Sequence, residues 1–209
     1  RGQKDRSWWS PPGAGLWMST LLRPKCDRKT WGGIALIAGA AARNALALLG
    51  VETVELRWPN DLYVQSRKLG GILAESKDPA AGSWVALGIG INIDLQGADQ
   101  GSTIPEELSD QIICLSEAGP PREKEPGKIA LAILHELRPL YGRLQQGEPI
   151  REIVGNSLAA AGRKVSIEQP GRPRLQGTVS GLGKHGELVV EDAVGTIHAI
   201  VAGDVSWDV

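Results

Sequence analysis

Along residues 16–22 apolar and polar positions alternate, with Trp17, Ser19 and Leu21 on one side and Leu16, Met18 and Thr20 on the other, the two-residue period of a strand. The period then lengthens. An Ala- and Leu-rich run over 31–49, with Thr30 in capping position before it and Gly50 after it, predicts a long helix. Short strands are expected at 51–57 and 62–65, and the second turns through Gln65, Ser66 and Arg67 into a partner at 68–76. Residues 84–93, WVALGIGINI, form an unbroken apolar run, which predicts a fully buried strand. After Asp94 the chain turns polar as far as Ser102. A helix is predicted over 106–117, followed by the break of Pro120 and Pro121. A longer one is predicted over 125–146, where Ile129, Leu131, Ile133, Leu134, Leu137, Leu140 and Leu144 form a stripe that should pack on the sheet. Strands around helices fit an α/β or α+β core. From Arg163 onward, KVSIE, RLQGTVSGL, GELVVED and GTIHAIVAG are short β segments separated by glycines, the texture of a small barrel that begins near Ala161 and Gly162.

Composition narrows the function classes. With 209 residues, 42% hydrophobic and 22% charged, the chain can bury one substantial core plus a small appendage and is not of disordered type. A net charge of −1 gives no global attraction to nucleic acid or to an anionic membrane, so any anion site must be local. No apolar run approaches the ~20 residues of a membrane-spanning helix, and the first residues carry no signal-peptide pattern. Cys26 and Cys114 match no metal or redox spacing, and a reducing, cytoplasmic setting is expected. His135, His185 and His198 form no pair with metal-ligand spacing, so no protein-held metal is expected. Phe is absent, and Trp31, Trp58, Trp84 and Trp207 read as packing residues that fill its volume. Glu106, Glu107 and Asp110 read as a solvated helix face. The chain starts at Arg1, without Met and inside a basic stretch, which leads us to expect a fragment.

Chemistry concentrates in residues 57–73, RWPNDLYVQSRKLGGIL. Pro59 holds the residue before it extended, and Asn60 and Asp61 are turn formers that present polar atoms at a strand end. Lys68 follows the hairpin turn and can send its ammonium toward a ligand, although a lone lysine in that place is more often plain surface. Gly70 and Gly71 weaken the strand they sit in and ask for something that approaches the backbone closely. Leu87-Gly88-Ile89-Gly90-Ile91 repeats the request, and two side-chain-poor strands side by side make a slot. At the start, RGQKDRSWWSPPG combines Arg1, Lys4 and Arg6 with Gly2 and two tryptophans. Cations can neutralise phosphate oxygens, glycine frees a loop, and an indole can stack on a purine, which together describe a lid over a nucleotide.

RWPNDLY, RKLGGIL, GIGINI and RGQKDRSWWSPPGAGLWMS, in that spacing and order, resemble biotin protein ligase, and the likeness covers nearly the whole chain. It is weakest over 96–126 and 147–162. The resemblance implies an α+β fold: a class II aminoacyl-tRNA-synthetase-like catalytic domain of mixed, mainly antiparallel sheet over 1–161, then an SH3-like β-barrel over 162–209. It implies a two-step reaction in which biotin and ATP, as its Mg2+ complex, give biotinyl-5'-AMP, and a lysine of biotin carboxyl carrier protein then takes the biotin. Carried over position by position, Lys68, Asp61 and Arg6 are the catalytic expectations. Arg1, Gly2, Gln3, Trp17, Ser19, Lys68, Gly70, Gly71, Ile72 and Gly88 would bind biotin, with Gly70, Gly71 and Ile72 as floor. Trp8, Asn60 and Asn92 would face the nucleotide. Magnesium would arrive with the nucleotide, and a homodimer through sheet edges is a family habit. Gln3 and Asp5 depart from the family loop, where an arginine and a glycine are usual, and remove or oppose positive charge at the phosphates. The family's Ser/Thr-rich biotin loop belongs upstream of Arg1. A lipoate or octanoyl ligase is the nearest alternative, and a biotin-responsive regulator without catalysis the next; such regulators carry an upstream helix-turn-helix.

Overall fold

In the computed structural model the described residues are 9–77, 82–95, 105–119, 123–158 and 160–207. The first unit is a five-stranded antiparallel sheet in the order β1-β5-β4-β3-β2, made of β1 (Gly15–Leu22), β2 (Glu55–Arg57), β3 (Asp61–Val64), β4 (Arg67–Lys77) and β5 (Trp84–Asn92). The hairpin between β3 and β4 turns on two residues, Gln65 at φ 50° and Ser66 at φ 66°, the paired left-handed conformation that matches strand twist.

One face of this sheet is covered by α1 (Ile34–Leu48). Ala38, Ala41, Ala42, Ala45 and Leu46 are fully buried, because this helix has sheet on one side and helices on another. Small residues permit that closeness: a Cβ on Gly39 would stand 2.5 Å from a Leu56 methyl of β2. The helix is entered through a 3-10 turn, Arg28–Gly33, capped by the carboxylate of Asp27 on the Lys29 amide at 3.0 Å. The cap is thus Asp27, three residues before the expected Thr30, whose hydroxyl instead bonds the Asp27 carbonyl. Its end follows expectation: Gly50 at φ 97° donates to Ala47, and Val51 donates back to Leu46, closing a Schellman motif. Among the described residues, Arg28–Leu48 is one helical stretch long and apolar enough to cross a bilayer, against the expectation of none. It is 72% buried inside the fold, as a core helix is.

The predicted helix over 106–117 is two single turns, α2 (Glu106–Ser109) and α3 (Leu115–Ala118), with an extended link between them. The next, α4 (Pro126–Gln145), has Pro126 at its first position and packs chiefly on α1, meeting the sheet at its edge strand β1. Its stripe is narrower than predicted: Ile129, Ile133, Leu137 and Leu144 are buried, while Leu131 and Leu134 are exposed. A short α5 (Ile150–Val154) leads out.

The second unit is another five-stranded antiparallel sheet, ordered β10-β6-β7-β8-β9, from β6 (Lys164–Glu168), β7 (Leu175–Leu182), β8 (Leu188–Asp192), β9 (Ile197–Ile200) and β10 (Asp204–Trp207). Among the described residues no pairing joins β9 to β10, so the expected barrel is an open sheet. Its buried Val165, Ile167, Val179, Leu188, Val190 and Ile200 belong to the same apolar cluster as α1 and the first sheet.

Candidate active site

The face of the first sheet turned away from α1 carries the polar chemistry. Burial alternates along β5 as far as Ile91: Val85, Leu87, Ile89 and Ile91 point to the helix, while Ala86, Gly88 and Gly90 point outward. The strand is therefore buried on one face and not on both. Cross-strand register places Trp17, Gly90, Gly71, Asp61 and Arg57 in one row over all five strands, and Ser19, Gly88 and Leu73 in the next. Three glycines in these two rows leave a shallow floor between Trp17 and Ser19 on one side and Asp61 on the other. Gly90 completes it, and was legible in GIGIN as the residue two after Gly88, on the same face.

A β-bulge delivers the lysine to this floor. Strand β4 pairs Gly70 with Leu62 but Lys68 with Tyr63, so Leu69 is the extra residue. By plain alternation from Gly71, Leu69 would face outward and Lys68 inward. The bulge reverses both: Leu69 is fully buried, and the Lys68 ammonium reaches the Asp61 carboxylate at 2.7 Å, each side chain a little over a quarter exposed. The backbone of Lys68 pairs instead with the link after α2: its amide donates to Gln111 at 2.8 Å, and its carbonyl accepts from Ile113 at 3.0 Å. The buried Asn92 amide seals this junction, donating to the carbonyls of Ile113 at 3.1 Å and Lys68 at 3.4 Å.

The Trp-Pro-Asn-Asp turn, with a cis bond between Trp58 and Pro59, is fixed to the same strand. Asn60 donates from its side chain to the Ile72 carbonyl at 2.5 Å and accepts the Ile72 amide at 2.8 Å on its own carbonyl. Beside Asp61, the Arg57 guanidinium lies 4.2 Å above the Tyr63 ring and 3.3 Å from Glu55, which is also 3.5 Å from Arg163. Burial holds the Tyr63 phenol above its usual range; the charge of Asp61 adds to this and Arg57 opposes it. Nothing in composition marked Arg57 and Tyr63 as neighbours of the pair, since their approach depends on strand register.

Of the expected site residues, Lys68, Asp61, Gly71, Gly88, Trp17 and Ser19 share the outward face. Gly70 and Ile72 do not. Both point toward α1, Ile72 is 1% exposed, and Gly70 is small because a Cβ would stand 2.5 Å from the Gly90 carbonyl. They are core positions, and Ile72 contributes no side chain to a floor. Asn60 and Asn92 stand behind the site, their amides engaged with backbone. Arg1, Gly2, Gln3, Arg6 and Trp8 lie outside the described residues. Among the described residues no three His, Cys, Asp or Glu side chains form a metal cluster.

The profile of the Biotin/lipoate A/B protein ligase family matches residues 1–92, and that of the biotin protein ligase C terminal domain matches residues 161–207. The Biotin–[acetyl-CoA-carboxylase] ligase of Mycobacterium tuberculosis is 30% identical over 214 residues, covering 98% of this chain and 74% of that protein. The bifunctional ligase/repressor BirA of Escherichia coli is 32% identical over 139 residues, 66% of this chain, and the match spans 41% of that relative's length. Among solved structures, biotin protein ligase from Aquifex aeolicus in complex with biotin and ATP superimposes with a TM-score of 0.73 at 25% identity, covering 93% of this chain and 78% of that one. Matched almost end to end by one ligase in sequence and by another in fold, the chain belongs to the biotin protein ligase family.

Proposed function

We propose that this chain carries out ATP-dependent ligation of biotin to a lysine of a carboxylase carrier protein. The observation that supports this reading is the Asp61–Lys68 pair, set by the β4 bulge at the end of a glycine-cleared floor. The fused rings of biotin would lie flat across Gly71, Gly88 and Gly90, between Trp17 and Ser19, with the acid tail toward Lys68. A biotin carboxylate oxygen attacks the α-phosphorus of ATP, the bond to pyrophosphate breaks, and biotinyl-5'-AMP remains. The Lys68 ammonium meets the negative charge that builds on the oxygens between the two reactants, and its fixed position means that little reorganisation is needed. In the second step the acceptor amine attacks the acyl carbon, the bond to the AMP oxygen breaks, and AMP leaves with the electron pair. Asp61 keeps the ammonium aimed and stands where it can receive the amine's proton. Magnesium would come with the nucleotide and offset phosphate charge, and Asp61 is the carboxylate that would help hold it; Arg6 would add a cation, Trp8 a stacking surface, and Arg1, Gly2 and Gln3 the biotin loop. Asn60 and Asn92 support the nucleotide side from behind.

The reading also divides the chain at residues 161 and 162 into a catalytic and a C-terminal domain, and places it in a reducing cytoplasm, where the free thiols of Cys26 and Cys114 persist. A homodimer paired edge to edge would use β1, since β2 already carries a bridge to Leu158; sedimentation of the active sample reads this. The deciding experiment mixes the chain with ATP, magnesium, a carrier domain and either biotin or lipoate, and weighs the carrier by mass spectrometry. One biotinyl group gained, with pyrophosphate released, is the expected outcome. Lys68→Ala should lower that release by roughly 10²- to 10³-fold while the protein stays folded. Transfer of lipoate alone, or full activity of Lys68→Ala, would end the proposal.

A further inference from the structure

The indole of Trp58 is buried, and its Nε1–H donates to the Gly186 carbonyl at 2.9 Å, 128 residues away in the chain. Gly186 lies at the tip of the β7–β8 hairpin with φ 94°. A Cβ there would stand 3.1 Å from Leu36 of α1, 3.2 Å from Ile150 of α5 and 3.3 Å from Gly33, and the Ile150 amide donates to Lys184 in the same tip at 2.9 Å. The tip of the second sheet is therefore seated in a socket whose walls are α1, α5 and Trp58.

From Trp58 the chain runs through Pro59, whose ring fixes φ, directly to Asn60 and Asp61. Asn60 holds β4 at Ile72, and Asp61 holds Lys68. The four consecutive residues thus form a short stiff lever with its fixed end in the second sheet and its free end on the ammonium. We propose that Trp58 is a positioning residue for the Asp61–Lys68 pair, and that the β7–β8 tip is the anchor against which it sets the pair. Through Trp58 the second sheet then contributes to the reaction. The geometric part stands on this structure alone, and its catalytic consequence rests on the ligase reading.

The test uses the full chain with benzothienylalanine at position 58, which keeps the bicycle and replaces its N–H by sulfur, and Trp58→Phe as a second variant. Two readouts separate the claims. In lysine-labelled protein, the Lys68 Cε–Hε NMR signal, assigned with Lys68→Arg, should move in the sulfur variant while the melting temperature shows the protein fully folded. In kinetics, kcat for biotin-dependent pyrophosphate release should fall roughly 10- to 100-fold, with the biotin KM changed less than about twofold. A loss of mere stability would lower the active fraction and would leave the Lys68 signal of folded molecules in place. An unmoved Lys68 signal in the folded sulfur variant overturns the proposal, as does an unchanged kcat beside an active parent. A parent that releases no pyrophosphate overturns the ligase reading, and the NMR result then still decides the role of Trp58.

Discussion

Gly88 and Gly70 lack a side chain for opposite reasons. At Gly88 a Cβ would meet nothing closer than the Leu73 carbonyl at 3.7 Å, an ordinary contact, whereas at Gly70 it would stand 2.5 Å from the Gly90 carbonyl and 2.9 Å from Ile91. The fold requires glycine at 70 and tolerates a methyl at 88. Gly88→Ala should therefore leave the urea midpoint unchanged and raise the biotin KM roughly tenfold. Gly70→Ala should lower stability by about 1–3 kcal/mol, read from the same urea titration. Both glycines look alike in sequence, and motif likeness assigned both to the ligand; only the register of β4 against β5 separates them. Lys68 and Asp61, by contrast, were legible as members of one motif, although their meeting on one face depends on the bulge at Leu69.

The strands and helices themselves were mostly readable from periodicity, and the misses have local causes. Residues 84–93 look buried on both faces because Ala and Gly count as apolar, yet it is their smallness that leaves the outer face open to a ligand. The helix expected over 106–117 breaks into two turns because the backbone of 111–113 is taken by Lys68, a partner over 40 positions earlier that no local pattern announces. The bulge at Leu69 is equally silent, since a single extra residue leaves the composition of a strand unchanged. In α4, Pro139 sits inside an otherwise regular helix, where it removes one backbone hydrogen bond and crowds the preceding turn. Its position is exposed, so Pro139→Ala should raise the melting temperature, by about 1 kcal/mol or more of stability in calorimetry.

Two five-stranded sheets share one apolar cluster that runs from Leu16 and α1 through Ile150 to Val165 and Ile200. A chain whose parts share a core should unfold as one. Heating should give a single transition with equal calorimetric and van't Hoff enthalpies, and two resolved transitions would show the sheets to be independent. Sequence texture located the second unit and four of its five strands, but the last strand, β10, hides in GDVSWDV, where one apolar face is all that marks it. The seating of the β7–β8 tip bears on engineering. On this second sheet one hairpin end, around Val194 and Gly195, points into solvent with Val194 86% exposed, whereas its neighbour at Lys184–Gly186 is plugged into the first sheet's helices. Epitopes or fluorophores could be grafted at the former, while any lengthening of the latter would unseat the plug and detune the lysine far away.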